Sequence, residues 1–188
     1  MPIALQDKPV RIETPRMVLR EFAPADIPGL LIAFADAEIA RWNPTGADPG
    51  SVAEFIDARN DWSSTWHASW AVADTEDRLV GSVSLHKIDP AQEDSEIGYW
   101  IAPWARRQGR AVEAVTAATR FAFDLIGLHR VYLYHAVENG ASCLVARAAG
   151  YPLEGTLRQS FRYADARWHD EHLHGRLSDD DRADDQTR

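Results

Sequence analysis

A mixed α/β fold, α+β-like in the way its strands segregate, is predicted by three features of this 188-residue chain. The apolar residues switch repeatedly between a period of two and a helical period. A strand–helix–strand unit fills the centre, from Glu96 to Val137. The composition, 45% hydrophobic and 26% charged, is that of a globular domain and excludes fibrous or disordered chains.

Arg16–Phe22 (RMVLREF) alternates apolar and charged residues and reads as the first strand. Pro24 and Asp26 then start a helix whose stripe is Ile27, Leu30, Leu31 and Phe34. Gly, Pro and Asp make Asn43–Ser51 a loop, and a second helix is expected from Val52 to about Trp62. Trp70–Ala73 and Leu79–Leu85 form a hairpin with Leu79, Gly81, Val83 and Leu85 on one face. Glu96–Ala102 is the fourth strand, closed by Pro103. Gly109 opens a long helix with Ala111, Val115, Ala118, Ala122 and Leu125 in steps of four and three, and Gly127 ends it. Arg130–Val137 is apolar or aromatic on both faces, as a central strand is. A short helix over Ala141–Ala149 ends at Gly150, and strands close the chain near Leu153–Phe161 and Trp168–Leu177. The count is seven strands and about four helices.

Length favours one domain over residues 1–177, followed by an acidic tail, 178–188, without fixed structure. That tail carries five aspartates and two arginines, so −3 of the net −9 sits there and −6 on the body, which disfavours nucleic acid as a partner. The single cysteine, Cys143, forms neither an internal disulfide nor a multi-cysteine zinc site. No apolar run approaches 18 residues and the N-terminus lacks a long apolar core, so no membrane association and a cytoplasmic location are expected.

The most informative segment is EIGYWIAPWARRQGRAVEAV, Glu96–Val115. A strand runs into a loop bearing Arg106, Arg107, Gln108, Gly109 and Arg110, and a long helix begins at once. The first amides of a helix lack intrahelical acceptors and its dipole favours negative charge, so this is an anion site suited to a pyrophosphate. Gly109 lets backbone approach the ligand, and Ala111 keeps the first turn small. Neither a P-loop nor a G-x-G-x-x-G dinucleotide loop is present.

Arg106-x-x-Gly109-x-Ala111 resembles the [QR]-x-x-G-x-[GA] acyl-CoA loop of the GNAT N-acetyltransferases, and the wider pattern resembles their RimJ/RimL-type branch. ETPRMVLREF is similar to that branch's opening strand, Asn139-x-x-Ser142 with Gly150-Tyr151 to its segment after the fifth strand, and LEGTLRQS with RWHDEHLHGRL to its closing strands. The likeness runs from about Arg11 to Leu177; a departure is Arg147, where the branch usually carries an acidic residue. It implies a mostly antiparallel seven-stranded sheet splayed between the fourth and fifth strands. It also implies acetyl-CoA as cosubstrate and direct transfer of the acetyl group to an amine.

By the same resemblance, the backbone amide of Ile101 would hold the thioester carbonyl and Arg106 to Ala111 the pyrophosphate. Asn139 would bond the pantetheine arm, and Ser142 would bond or protonate the sulfur. Ordinary N-capping of the short helix is the competing role for Asn139 and Ser142. Glu96 is the candidate base: residues 96, 98 and 100 share a strand face, so its carboxylate would look into the cleft, against the alternative of a solvated glutamate at a strand start. An α-amine as acceptor is about 10% neutral at pH 7 and a lysine under about 0.1%, so only the former tolerates a weak base. The acceptor is a peptide N-terminus or a small-molecule amine such as an antibiotic or polyamine, and a non-catalytic acyl-CoA-binding module is the reading from another class. Nothing in the sequence separates a monomer from a homodimer.

Two features point elsewhere. His169, His172 and His174 have an H-x-x-H-x-H spacing, but His169 would face away from the other two, and no metal is expected. Trp42, Trp62, Trp66 and Trp70 are read as core and lid packing, with an aromatic acceptor pocket as the sharper alternative. Cys143 reads as a small buried helix residue.

Overall fold

The computed structural model describes residues 7–43, 48–64 and 66–180. Its strands are β1 (Ile12–Glu13), β2 (Met17–Arg20), β3 (His67–Asp74), β4 (Leu79–Asp89), β5 (Asp94–Ile101), β6 (Arg130–Ala136), β7 (Leu153–Arg162) and β8 (Trp168–Leu177). They form one sheet in the order β1-β2-β3-β4-β5-β6-β8-β7, antiparallel throughout except for the β5–β6 pair. The sheet thus has eight strands, not the expected seven. The extra one, β1, is two residues long and too short to show a period.

Among the described residues five α-helices stand where about four were expected: α1 (Ile27–Phe34), α2 (Ala37–Trp42), α3 (Pro49–Asn60), α4 (Arg110–Phe121) and α5 (Gly140–Ala148). The missed helix, α2, has six residues, too few for an apolar stripe, and starts because the Asp36 carboxylate caps the Ile39 amide at 3.1 Å. The loop expected over Asn43–Ser51 ends early, since Asp48 caps Ser51 and α3 begins at Pro49; residues 44–47 lie outside the described residues. Of the expected unstructured tail, residues 178–180 are described, with the Asp180 carboxylate accepting from the Leu177 amide; residues 181–188 lie outside the description.

Alternation along the strands separates two hydrophobic clusters. Trp70 and Val72 of β3 pack with Trp62, Val115, Ala118 and Phe121 around α4, whereas Ala71 joins Leu30, Phe34, Val52 and Trp100 around α1 to α3. Residues covered on both faces account for the unbroken burial of β3 from Ala68 and of β4 as far as Leu85. The helical stripe of α4 holds at Val115, Ala118 and Ala122, but Leu125 is exposed. A π turn over Ala122–Ile126 adds a residue and rotates that position out of the stripe before Gly127 (φ 80°) closes the helix.

The feature that makes a site is the parting of β5 from β6. Their parallel pairing covers only Asp94↔Arg130, Ser95↔Val131 and Glu96↔Tyr132. Beyond it β5 keeps β4 alone, from Ile97↔Leu85 to Ile101↔Gly81. The Ala102 amide donates to the Val80 carbonyl at 2.9 Å, so by strand alternation the Tyr99 and Ile101 amides face the open side. At Gly81 a Cβ would stand 2.5 Å from the Trp100 carbonyl oxygen, so only glycine lets β4 lie this close beside the splayed segment. No helix among the described residues is long and apolar enough to cross a membrane.

Candidate active site

Two cavities meet in the gap between β5 and β6. The first, about 590 Å³, runs from the N-terminus of α4 to the N-terminus of α5. Gly109, Arg110, Ala111 and Val112 line one end, with Ala105, Arg106 and Arg107. Gly109 sits at φ 72°, the left-handed region, and caps α4 with no side chain, so the first amides of the helix are left for a ligand. Arg107 is also left-handed, at φ 59°. The lining, the bare helix start and the two arginines, Arg107 and Arg110, fit a pyrophosphate.

Two residues of the expected loop have other engagements. Arg106 pairs with Asp36 and donates through Nε to the Ile101 carbonyl at 3.3 Å. Hydrogen bonding from Arg106 in turn holds the Asp36 carboxyl below the usual carboxylate range. Arg106 therefore ties α2 to the splayed end of β5, and lies along the cavity wall with its charge already met. Gln108 is outside the lining; its carbonyl accepts from Arg16 Nη1 at 2.8 Å. Arg16 also bonds the Glu113 carboxylate, which takes a further bond from Thr14 Oγ1, so the turn between β1 and β2 straps down the first turn of α4. No spacing links Arg16 to Glu113 in the sequence.

At the inner end Asn139 and Ser142 open α5. Asn139 Oδ1 accepts from the Ser142 amide at 3.2 Å, an N-cap that leaves its amide group for a ligand. Ser142 Oγ lies 2.8 Å from the Tyr99 hydroxyl. Sequence reasoning missed Tyr99, although it stands two residues before Ile101 and so shares its face. Burial pushes the Tyr99 phenol up to about 12, so it keeps its proton at neutral pH and remains a donor.

The second cavity, about 430 Å³, lies on the other side of this pair. Trp42, Asn43, Tyr99, Asn139 and Ser142 line both cavities. Glu96 is in the second, its carboxylate bonded to Lys87 Nζ at 2.7 Å. Lys87 reaches it from a bulge between His86 and Asp89, at φ 51°. About 10 Å of strand separates Glu96 from Tyr99, so any proton path between them needs water. His86 lines the cavity too, and burial, with Arg59, His67 and Lys87 nearby, lowers it to about 4, which keeps it neutral at pH 7. Deeper in, the buried Glu171 carboxylate accepts from Tyr163 at 2.8 Å and Ser160 at 2.9 Å, with no cationic partner among the described residues. Glu171 gave no sequence signal, because the strands β7 and β8 only bring it to the cavity once paired.

The four tryptophans do not share one wall. Trp62 and Trp70 pack edge-on with Phe121 in the core and Trp66 is exposed, while Trp42 meets Tyr163 edge-on at the cavities. His169 does face away from His172 and His174; it bonds Asp165 and Glu138, which raise its pKa.

A family model described as acetyltransferase (GNAT) domain matches residues 16–152. An uncharacterized N-acetyltransferase, YoaA, of Bacillus subtilis (strain 168) is 26% identical over 154 residues, 79% of this chain and 86% of that protein. The ribosomal-protein-serine acetyltransferase of Escherichia coli (strain K12) is 34% identical over 104 residues, 55% of this chain and 58% of the enzyme. A crystal structure of spermidine N-acetyltransferase from Vibrio cholerae, in complex with CoA and spermine, superposes with a TM-score of 0.76 at 22% identity, covering 88% of this chain and 97% of that one. That last likeness shows the fold.

Proposed function

The chain belongs to the GNAT acetyltransferase family and is an N-acetyltransferase; from that premise we propose that it acetylates an α-amine, a peptide N-terminus, by direct attack on acetyl-CoA in a ternary complex. The observation that carries this is the junction of the two cavities at Tyr99 and Ser142. Pyrophosphate on Gly109 to Val112, with Arg107 and Arg110, sends the pantetheine arm along Asn139 and leaves the thioester at that junction. The Ile101 amide, turned to the open side of β5, donates to the thioester oxygen and strengthens as negative charge gathers there.

The acceptor nitrogen forms the new C–N bond as the C–S bond breaks. The thiolate leaves beside the Tyr99–Ser142 hydroxyl pair, and the nitrogen loses a proton through water toward Glu96. A CoA thiol, with a pKa near about 8.5, does not take a proton outright from a phenol at about 12. Tyr99 instead steadies the thiolate by hydrogen bonding, relayed by Ser142, until solvent or the ammonium proton neutralises it.

An α-amine fits because Glu96 is tied up by Lys87, and such an acceptor, about 10% neutral at pH 7, asks little of a base. A specific observation supports a second reading, a polycationic small amine: Glu171 offers a buried carboxylate without a cation among the described residues, in a cavity also lined by Trp42, Tyr163 and Phe161. Thiol release from acetyl-CoA, measured with peptides beginning Ala, Ser or Met and in parallel with spermidine, separates the two. Release with peptides but not spermidine upholds the first reading. The reverse result replaces it with the second.

A further inference from the structure

Four metal-ligating side chains converge where β6, β8 and α5 meet, and acetyl transfer uses none of them. His135 of β6 stands opposite His172 of β8, and His174 follows two residues on, on the same face. Cys143 comes from α5, one residue past Ser142. One ligand atom from each of the four lies within 4.8 Å of all the others.

The hydrogen bonding decides what these atoms can be. His135 Nδ1 lies 2.8 Å from the Ala136 carbonyl oxygen, and His174 Nδ1 lies 3.0 Å from the Tyr151 carbonyl oxygen. A carbonyl only accepts, so both Nδ1 atoms carry the proton, and both Nε2 atoms of the neutral rings present lone pairs. Those two Nε2 atoms face each other at 3.2 Å. Two lone pairs at that distance repel unless a cation lies between the rings or one ring is charged. His172 Nδ1 is buried with no hydrogen-bond partner among the described residues, a further orphan in the same cluster.

We propose that His135, Cys143, His172 and His174 form a binding site for a thiophilic divalent cation of the zinc(II) type. The dimensions suit it: bonds of about 2.0–2.1 Å to nitrogen in a tetrahedral centre put ligand atoms about 3.3 Å apart, close to the Nε2 separation. Three imidazoles and one thiolate complete a closed, structural coordination shell. The backbone carbonyls of Ala136 and Tyr151 hold two of the rings through Nδ1, as outer partners of metal-bound histidines do. On binding, the Cys143 thiol releases its proton to solvent and the sulfur bonds as thiolate. The ion then clamps α5, which carries Ser142 and is capped by Asn139, to the β6–β8 pair. His169, the member of the H-x-x-H-x-H spacing that faces elsewhere, takes no part. This site is independent of the acceptor reading.

The test uses the full-length, untagged protein. It is stripped with chelator and titrated with Co²⁺ and then with Zn²⁺ against a competing indicator. The expected result is one ion per chain, an intense tetrahedral cobalt spectrum with a thiolate charge-transfer band, and a rise in melting temperature with Zn²⁺. Cys143→Ser should abolish the charge-transfer band and weaken zinc at least about 100-fold, because even outer partners are worth about 10–100-fold. His172→Gln, a milder change at a half-buried position, should weaken it comparably, and His169→Asn should change nothing. Absence of stoichiometric binding overturns the proposal, as does binding that survives both Cys143→Ser and His172→Gln.

Discussion

Replacing Gly109 separates backbone strain from charge at the proposed pyrophosphate end. At φ 72° and ψ 4°, a residue with a Cβ pays about 1–2 kcal/mol for the left-handed conformation. The Cβ itself would meet Arg16 Nη2 at 3.4 Å, ordinary contact, so Gly109→Ala costs backbone strain alone. For a domain of this size that is a fall in Tm of roughly 2–8 °C. Gly109→Glu carries the same strain and adds a negative charge. At about 5 Å from a phosphate charge and an effective dielectric of about 20, repulsion is about 3 kcal/mol, over a hundred-fold in Kd. The assay is thermal unfolding with and without acetyl-CoA at about 100 times the wild-type Kd. Wild type should gain about 2.7 kcal/mol from binding, roughly 5–10 °C. The Glu variant should gain about 0.4 kcal/mol or less, a shift near 1 °C. An acetyl-CoA shift equal in the Ala and Glu variants would place the cofactor away from the start of α4.

Two further outcomes are expected. Ser142→Ala and Tyr99→Phe should lower kcat more than they raise the KM for acetyl-CoA, each by about ten-fold or more, and the double variant should lose little beyond either single one, since the hydroxyls act as one pair. Because burial holds the Tyr99 phenol near 12, the Tyr99→Phe defect should stay constant from pH 6 to 9; a defect that vanishes above pH 8 would mean that the phenol ionises there. Glu96→Gln should slow transfer at least about ten-fold near pH 7, with the defect shrinking as pH approaches the acceptor's own pKa, and a pH-independent defect would make Glu96 an anchor for an ammonium instead.

What the sequence discloses about the fold is what short-range pattern carries. Gly109 and Gly127 bracket α4 because each needs a positive φ, and composition alone reveals that need. β6 reads as a central strand and does lie between β5 and β8, but only its Val131, Leu133 and His135 face is buried, while Tyr132 and Tyr134 on the other face are half-buried. The failures share a cause, which is brevity or long-range pairing. α2 is six residues anchored by one cap, β1 is two residues, and the π turn after α4 displaces Leu125 without any mark in the pattern. At the site, Gly109, Asn139 and Ser142 stand in loop and cap positions that sequence spacing exposes. Tyr99 is open to the same alternation that places Ile101, whereas Glu171 and Arg16 become legible only when distant parts of the chain are brought together.

The division of labour among the arginines shows how the loop motif and the tertiary structure differ in what they explain. By charge and spacing alone Arg106, Arg107 and Arg110 are equivalent ligands for a pyrophosphate. Among the described residues Arg106 is the one met by a carboxylate, Asp36, and by the Ile101 carbonyl. That carbonyl faces the open side of the splayed strand, where β5 has no neighbouring strand to supply a partner. Arg106 supplies that partner and at the same time fixes α2, whose Trp42 lines both cavities. Its place in the motif is therefore accounted for by tying α2 to the splayed end of β5, and in the proposed function electrostatic attraction for the cofactor is assigned to Arg107, Arg110 and the bare amides of α4.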